Sequence, residues 1–157
     1  MKSPYLQGWF ARLDNTFEKA QAAAKEDKEL EAFLASYLVV LISGAYEECI
    51  EHLLGERAGK SRDEEVHNFI QVTLDRTFRN PRFDRIVLVL RAFSDSYAEE
   101  LERKIDSKAR EAINSIVTNR HAVSHGKKLT VTVTLRDVQD YHTRSLPIFE
   151  ALEEILG

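Results

Sequence analysis

Apolar residues recur at steps of three and four positions along most of the chain, which is the spacing of one buried face of an α-helix. The chain contains three prolines and six glycines, so few positions interrupt this periodicity. The pattern predicts an all-α protein, an up-and-down bundle of five to six helices. The predicted helices cover, in chain order, about residues 3–25, 27–54, 63–78, 81–105, 107–126 and 136–156.

Turn-forming and capping residues predict where these helices begin and end. Residues 55–62 have the glycine content of a connector. Asn80 and Pro81 interrupt the third helix, and Pro81 suits the first position of the next one. Ser107 is expected to cap the helix that follows, because its hydroxyl can accept a hydrogen bond from a free backbone N–H. Pro147 is expected to bend the last helix.

The second predicted helix is expected to occupy the centre of the bundle. Its apolar stripe consists of Leu30, Leu34, Leu38, Leu41, Ala45 and Cys49. Phe33, Val40 and Gly44 lie on another side of the same helix. Because a helix that is apolar on more than one side packs against several neighbours, we expect burial on several faces.

One segment departs from the helical pattern. Residues 129–135 (LTVTVTL) alternate apolar and hydroxyl side chains with a period of two, which is typical of a half-buried β-strand. No other segment offers an obvious partner, and an isolated strand is not stable. Two explanations are open: the segment pairs with its own copy across a dimer axis, or it forms a short hairpin-like excursion.

Length and composition limit the class of protein. A chain of 157 residues is expected to form a single helical domain over residues 1–157. The one cysteine, Cys49, rules out an intrachain disulfide and a cysteine-based zinc cluster. The longest apolar run, residues 37–42, has six residues, whereas a membrane span needs about 20. Residues 1–5 lack the apolar core of a signal peptide, so we expect a soluble, cytoplasmic protein.

Charge is distributed unevenly around a net charge of −4. Residues 76–91 carry five arginines and one aspartate, and residues 102–128 carry seven basic and three acidic residues. Each segment therefore has a net charge of +4. Charged runs on helical proteins are usually solvated faces. The alternative is that these two segments form one phosphate-binding side.

Two of the five histidines lie close together in the sequence. His121 and His125 have the i, i+4 spacing of a helical zinc pair, but Ala122 stands where the metalloprotease signature has glutamate. A catalytic zinc also needs a third ligand, and the sequence offers no obvious one. A buried structural role is the default for any single histidine, so metal binding is the less favoured explanation.

Arg120 occupies a position where the periodicity predicts burial. On an ideal helix it falls within about 100° of Ile113 and Val117. A guanidinium in an apolar stripe is unfavourable unless it meets an anion or a carboxylate. Two explanations are open: an ion pair with Glu47 or Glu48 of the second helix, or a guanidinium available to bind phosphate.

His125 is expected at the carboxyl end of the same helix, where it either caps the helix or exposes a titratable imidazole. Arg120 and His125 are five residues apart, so their side chains diverge by about 140° on a continuous helix. One chain can then hardly hold a phosphate between them. Either the helix unwinds after Val123, or two copies of the motif meet across an interface.

These residues resemble the motif of HEPN domains (higher eukaryotes and prokaryotes nucleotide-binding). The spacing Arg-x4-His from Arg120 to His125, followed by glycine near the end of a late helix, looks like the family motif. Residues 43–50 (SGAYEECI) resemble its central helix, with Glu47 in the acidic position, and residues 134–138 resemble the start of its last helix. The resemblance covers about residues 25–157 and is strongest to bacterial ribonucleases of toxin and anti-phage systems, of the RiboL-PSP-HEPN or MAE-HEPN-like type.

The resemblance implies a metal-independent endoribonuclease that needs no cofactor and acts as a homodimer. The RNA 2′-hydroxyl attacks the adjacent phosphate and leaves a 2′,3′-cyclic phosphate. On this interpretation His125 is the acid or base, and Arg120 neutralises the phosphorane oxygens. His121 is a second donor, and Glu47 orients Arg120 or a histidine.

The resemblance also implies RNA as the partner, with an antitoxin protein as a further candidate and no membrane. The expected RNA-binding residues are Asn119, Lys127, Lys128, Arg79, Arg82 and Arg85. Two alternatives to catalysis are open: a HEPN-like domain that binds RNA or a nucleotide without cutting it, and a protein-interaction module.

Overall fold

The structure is a computed structural model that describes residues 1–60, 63–124 and 133–157. These residues form seven helices and no strand. The helices are α1 (Pro4–Ala23), α2 (Lys28–Gly59), α3 (Glu64–Thr77), α4 (Phe83–Phe93), α5 (Asp95–Lys104), α6 (Ser107–Ser124) and α7 (Leu135–Leu156). The all-α prediction is confirmed, but the predicted count of five to six helices is wrong.

Helix α2 is the central helix of the bundle and packs against α1, α3, α6 and α7. Asp27 begins it: the carboxylate accepts hydrogen bonds from two backbone N–H groups of the first turn, at 3.0 and 2.9 Å. Tyr46 and Cys49 are fully buried on its inner side. Burial, together with the negative charges of Glu48 and Glu153, raises the pKa of the Cys49 thiol to about 12.

One side of the first half of α2 is exposed. The expectation that this helix is buried on several faces is therefore wrong for that part. Phe33, Tyr37 and Val40 have exposed fractions of 68%, 52% and 40%. Gly44 continues the same row, and no atom lies within 4 Å of the position that a Cβ would take there. We call Phe33, Tyr37, Val40 and Gly44 the α2 stripe. It is an apolar surface that the described residues leave open to solvent.

The predicted connector at residues 55–62 is wrong in its first half, because α2 continues through Gly59. Gly55 and Gly59 lie one turn apart and face α3. The side-chain amide of Gln71 contacts the bare backbone at Gly55, and Cε1 of His67 lies 3.4 Å from the Cβ position at Gly59. These glycines therefore provide a surface without side chains on which α3 packs, rather than a flexible turn.

The helix predicted over residues 81–105 is two helices, which accounts for the extra element. Ser94 has extended backbone (φ −166°, ψ 135°) and separates α4 from α5. Serine competes with the helical backbone for hydrogen bonds and so favours such breaks. Pro81 is not the first residue of α4, which begins two residues later at Phe83. The cap of α6 is Asp106 rather than Ser107, since the Asp106 carboxylate accepts the Ala109 N–H at 2.8 Å.

Helix α7 begins inside the segment that was predicted to be strand-like. Thr134 and Asp137 form a reciprocal capping box at its start, and Leu135 is its first residue. The strand prediction is therefore wrong for Leu135, because capping fixes the helix there. Val133 and Thr134 precede the helix and are not in a strand either, and residues 129–132 lie outside the described residues. Pro147 lies inside α7, as predicted.

Among the described helices, α2 alone is long and apolar enough to cross a membrane by length and composition. Half of its most apolar stretch is buried inside the bundle. The core helix of a bundle has the same length and composition, so this finding is weak evidence for a membrane span.

His142 of α7 lies in the aromatic part of the core. It is 2% exposed, and its ring is within 6 Å of the rings of Phe10, Phe17 and Tyr46. Its Nδ1 lies 2.8 Å from the Tyr46 hydroxyl. Burial lowers the pKa of His142 to about 4, and the nearby charge of Asp14 offsets only part of this effect. His142 is thus a structural histidine, neutral at physiological pH.

We expect His142 to make the folded state sensitive to mild acid. Because its pKa falls from 6.5 in the unfolded chain to about 4 in the fold, the unfolded state binds the proton more readily. Its contribution is complete above pH 6.5 and is lost as the pH falls towards 4. The free energy of unfolding should fall by about 3 kcal/mol more in the wild type than in His142→Gln between pH 7 and 4. Urea unfolding at both pH values measures this difference, and equal losses in the two proteins would contradict it.

Candidate active site

Helix α6 carries Arg120 against the middle of α2. Its Nη1 lies 2.5 Å from Oε1 of Glu47 and 3.2 Å from Oγ of Ser43, which is one turn earlier on α2. Ser43 is fully buried and Glu47 is 9% exposed. Of the two acidic residues that the sequence offered, Glu47 is therefore the partner. Glu48 points elsewhere: it is exposed, and its Oε2 lies 3.4 Å from the Tyr5 hydroxyl.

Asn80, in the connection between α3 and α4, completes this cluster. Its backbone N–H donates to Oε1 of Glu47 at 2.8 Å, and its Oδ1 accepts from Nη1 of Arg120 at 3.4 Å. Asn80 has a positive φ of 61°, a conformation that asparagine adopts more readily than most residues. From the sequence, Asn80 was expected only to interrupt a helix. The signal available there was an asparagine before proline, which indicates a turn but not its partners.

Helix α6 also holds the start of α4 in place. Oδ1 of Asn114 accepts the backbone N–H of Phe83 at 3.0 Å, and the guanidinium of Arg110 lies 4.7 Å from the centre of the Phe83 ring. The α3–α4 connection is thereby attached to α2 through Glu47 and to α6 through Asn114. We infer that Asn80 is held in register with Arg120 by contacts on both sides.

Arg120 keeps donors beyond the cluster. All three of its contacts use Nη1, so the N–H groups of Nη2 and Nε are not engaged by them. The Arg120 side chain is 27% exposed, whereas Glu47 is almost completely buried. A guanidinium that is held at one nitrogen, keeps donors at Nη2 and Nε and belongs to a partly exposed side chain is suited to bind an oxyanion through two parallel hydrogen bonds.

The other predicted catalytic residues stand as follows. His121 follows Arg120 and is exposed on α6. His125 lies outside the described residues, as do Lys127 and Lys128. Helix α6 includes Ser124, so it does not unwind directly after Val123. The position of His125 relative to Arg120 stays a prediction.

The predicted RNA-binding residues that the structure describes separate into two groups. Arg79 and Arg85 line one surface depression together with Asn80, so they lie next to the Arg120 cluster. Arg82 and Asn119 make local contacts instead. Nε of Arg82 donates to Asp84 at 3.2 Å, and Nδ2 of Asn119 donates to the Ser115 carbonyl of its own helix at 2.8 Å.

A match to a protein-family model identifies the family of this chain. The family model described as RiboL-PSP-HEPN matches residues 11–157. The chain belongs to the HEPN family. No curated protein and no solved structure matches it significantly. The match begins earlier than the expected limit of residue 25 and so includes most of α1, whose Leu13 and Phe17 are buried in the core of the HEPN domain.

We expect Glu47→Ala to destabilise this HEPN domain. The change leaves the half-buried guanidinium of Arg120 and the backbone N–H of Asn80 without their shared acceptor, which should cost about 1–3 kcal/mol in the free energy of unfolding. Glu48→Ala removes the same charge one position away on the exposed side and should change stability by less than about 0.5 kcal/mol. Chemical denaturation of both variants measures the difference. Equal destabilisation would show that loss of charge, rather than loss of the Arg120 partner, is responsible.

Proposed function

We propose that this HEPN domain is an endoribonuclease of the toxin or anti-phage type that cleaves RNA without a metal ion. The observation that supports the proposal is that Arg120 is held in place by hydrogen bonds and yet is partly exposed. Its guanidinium is fixed at Nη1 by Glu47, Ser43 and Asn80, yet the side chain is 27% exposed and lies five residues before His125. Such pre-organised positive charge stabilises a transition state that gains negative charge.

The proposed reaction is an internal transfer at one phosphate of RNA. The 2′-oxygen forms a bond to phosphorus while the bond from phosphorus to the 5′-oxygen breaks, which yields a 2′,3′-cyclic phosphate and a free 5′-hydroxyl. A base removes the 2′-hydroxyl proton, and an acid donates a proton to the departing 5′-oxygen. His125 suits these roles because the ordinary histidine pKa of about 6.5 permits both directions of transfer near neutral pH. Arg120 binds the non-bridging oxygens, and His121 supplies a second donor.

We further propose that the active unit is a homodimer formed through the α2 stripe. Phe33, Tyr37 and Val40 make an exposed apolar row, and Gly44 extends it with uncovered backbone. Glu47 is seven residues beyond Val40, so it lies along the continuation of the same side of the helix. In a two-fold dimer the same surface meets itself. Burial of this row would therefore bring the two Arg120 clusters towards one shared cleft.

A protein-interaction role is the second candidate, and helix α3 favours it. Val66, Phe69 and Val72 are 44%, 72% and 48% exposed and recur at three-residue steps. An exposed apolar row of this kind is suited to a protein partner. If the protein is a toxin, the partner bound to this row would be an antitoxin. If the HEPN domain is not catalytic, binding of a protein partner would be its main function.

The proposal predicts that purified protein cleaves labelled RNA at the same rate with and without EDTA. The products should carry 2′,3′-cyclic phosphates, which acid or phosphatase treatment distinguishes from open 3′-phosphates. Binding without cleavage would replace the proposal by the non-catalytic RNA-binding function. Neither binding nor cleavage would leave the protein-interaction function, and loss of cleavage in EDTA would contradict the metal-independent mechanism.

A further inference from the structure

A depression of about 450 Å³ lies between the α3–α4 connection and the outer side of α4. We call it the α4 depression. Its apolar wall includes Phe78, Leu88 and Ala92, and Arg79, Asn80 and Arg85 supply polar groups around it. Its volume is within the range usual for pockets that bind small organic molecules.

Leu88 is the unusual residue of this wall. Helix α4 buries Ile86 and Leu90 in the core, whereas Leu88 is 56% exposed. Leu88 is therefore not required to fill the core of the bundle. It presents an apolar side chain to the depression that Arg79 and Arg85 also line.

The α4 depression is connected to the candidate active site through one residue. Asn80 lines the depression, and the same side chain accepts a hydrogen bond from Arg120 through Oδ1. Its Nδ2 is the other end of the amide and can donate to a ligand in the depression. A molecule bound there would thus be a direct neighbour of the Arg120 cluster.

We propose that the α4 depression binds one nucleobase of the RNA substrate, beside the phosphate held at Arg120. The inference rests on the proposed ribonuclease function. An apolar wall flanked by guanidinium groups matches a nucleotide, which combines a flat ring having apolar faces with an anionic phosphate. In single-stranded RNA, unstacked bases are commonly held against apolar, aromatic or guanidinium surfaces. Leu88 contacts the face of the base, Asn80 donates to its edge, and Arg79 and Arg85 contact the phosphates on either side.

Binding of a base in the α4 depression implies a preference for particular RNA sequences, which phosphate contacts alone would not give. Arginines that contact only phosphates position an RNA without regard to sequence. A depression that accepts one base and offers one amide donor distinguishes bases by size and by acceptors on their edge. We therefore expect the cleavage position to depend on the identity of one base near the scissile phosphate.

The test measures RNA binding by Leu88→Asp in a His125→Ala background, so that cleavage does not disturb the equilibrium. The probes are one single-stranded oligoribonucleotide and a set of copies that each lack one nucleobase. Leu88→Asp should weaken binding of the intact oligonucleotide at least about tenfold, and this loss should be clearly smaller for one abasic copy than for all the others, because only repulsion of the phosphates remains there. Such coupling between a side chain and a base identifies their contact.

Val72→Asp is the matched control, because Val72 is exposed on α3 and does not line the α4 depression. It adds the same charge and should leave RNA affinity close to that of the parent. If Leu88→Asp fails to fold by circular dichroism, Leu88→Ala is measured in the same way. Unchanged affinity, equal loss in the Val72 control, or equal loss with every abasic copy would each overturn the base assignment while leaving the ribonuclease proposal in place. If the parent protein binds no RNA, the proposed function itself fails, and the inference fails with it.

Discussion

Replacing Arg120 with alanine should reduce RNA cleavage by at least about a hundredfold, since loss of one pre-organised donor to a developing oxyanion typically costs a factor of 10² to 10³. The helical fold should persist, because Glu47 keeps its hydrogen bond from the Asn80 N–H and Arg120 is not part of the apolar core. Initial rates on labelled RNA and far-UV circular dichroism measure the two effects. Arg91→Ala is the control: Arg91 is an exposed arginine of α4 whose ion pairs with Asp95 and Glu102 lie at the surface.

The same prediction covers His125→Ala, whose effect can also be measured as growth of cells that overexpress the protein. It should abolish cleavage without loss of helicity, since it removes the group that transfers protons. Overexpression of the wild-type chain should arrest growth if the protein is a toxin, and this variant should relieve the arrest. Unfolding of Arg120→Ala would instead assign Arg120 to a structural ion pair. Equal growth arrest by wild type and His125→Ala would remove the link between toxicity and catalysis.

The second large effect is expected from mixing two inactive variants. If the active unit is a two-fold dimer with a composite cleft, a mixed dimer of Arg120→Ala and His125→Ala keeps one intact arginine and one intact histidine. Random subunit exchange places about half of the dimers in this mixed form. Cleavage by the mixture should then exceed that of either homodimer at least about tenfold.

Two observations would contradict the composite cleft. The first is a protein that sediments as a monomer at its working concentration and still cleaves RNA. The second is a set of verified mixed dimers that recover no activity, which would mean that one chain supplies the whole catalytic set. Size-exclusion chromatography of differently tagged variants separates the mixed dimers before the assay.

The sequence was a good guide wherever a local pattern decides the structure. Apolar periodicity predicted that Arg120 falls on an inward face. An ion pair with Glu47 or Glu48 was one of the two explanations open for it, and the structure contains the contact with Glu47. Periodicity could not choose between Glu47 and Glu48, because Glu48 falls on the apolar stripe of the second helix and Glu47 falls on the second side that was expected to be buried. That choice depends on how α6 crosses α2, which is a tertiary property.

Two of the failures of prediction have the same cause. Gly55 lies in a segment with the glycine content of a turn, but it is helical and packs closely against α3. Asn80 gains its role from Glu47, which lies 33 residues away in the chain. Ser94 breaks a helix whose apolar periodicity continues across the break. At Gly55 and Asn80 a contact between distant segments determines the conformation, whereas the break at Ser94 reflects a local preference that apolar periodicity does not report.

The buried thiol of Cys49 gives this fold an internal reporter. A cysteine reacts with alkylating reagents as the thiolate, and burial within α2 both shields the sulfur and keeps it protonated. Since the sequence has one cysteine, modification of the chain by iodoacetamide has a single origin. Its rate follows how often the centre of the bundle opens to solvent. Thiol labelling therefore distinguishes a variant that has lost catalytic chemistry from one that has lost the protection of its core.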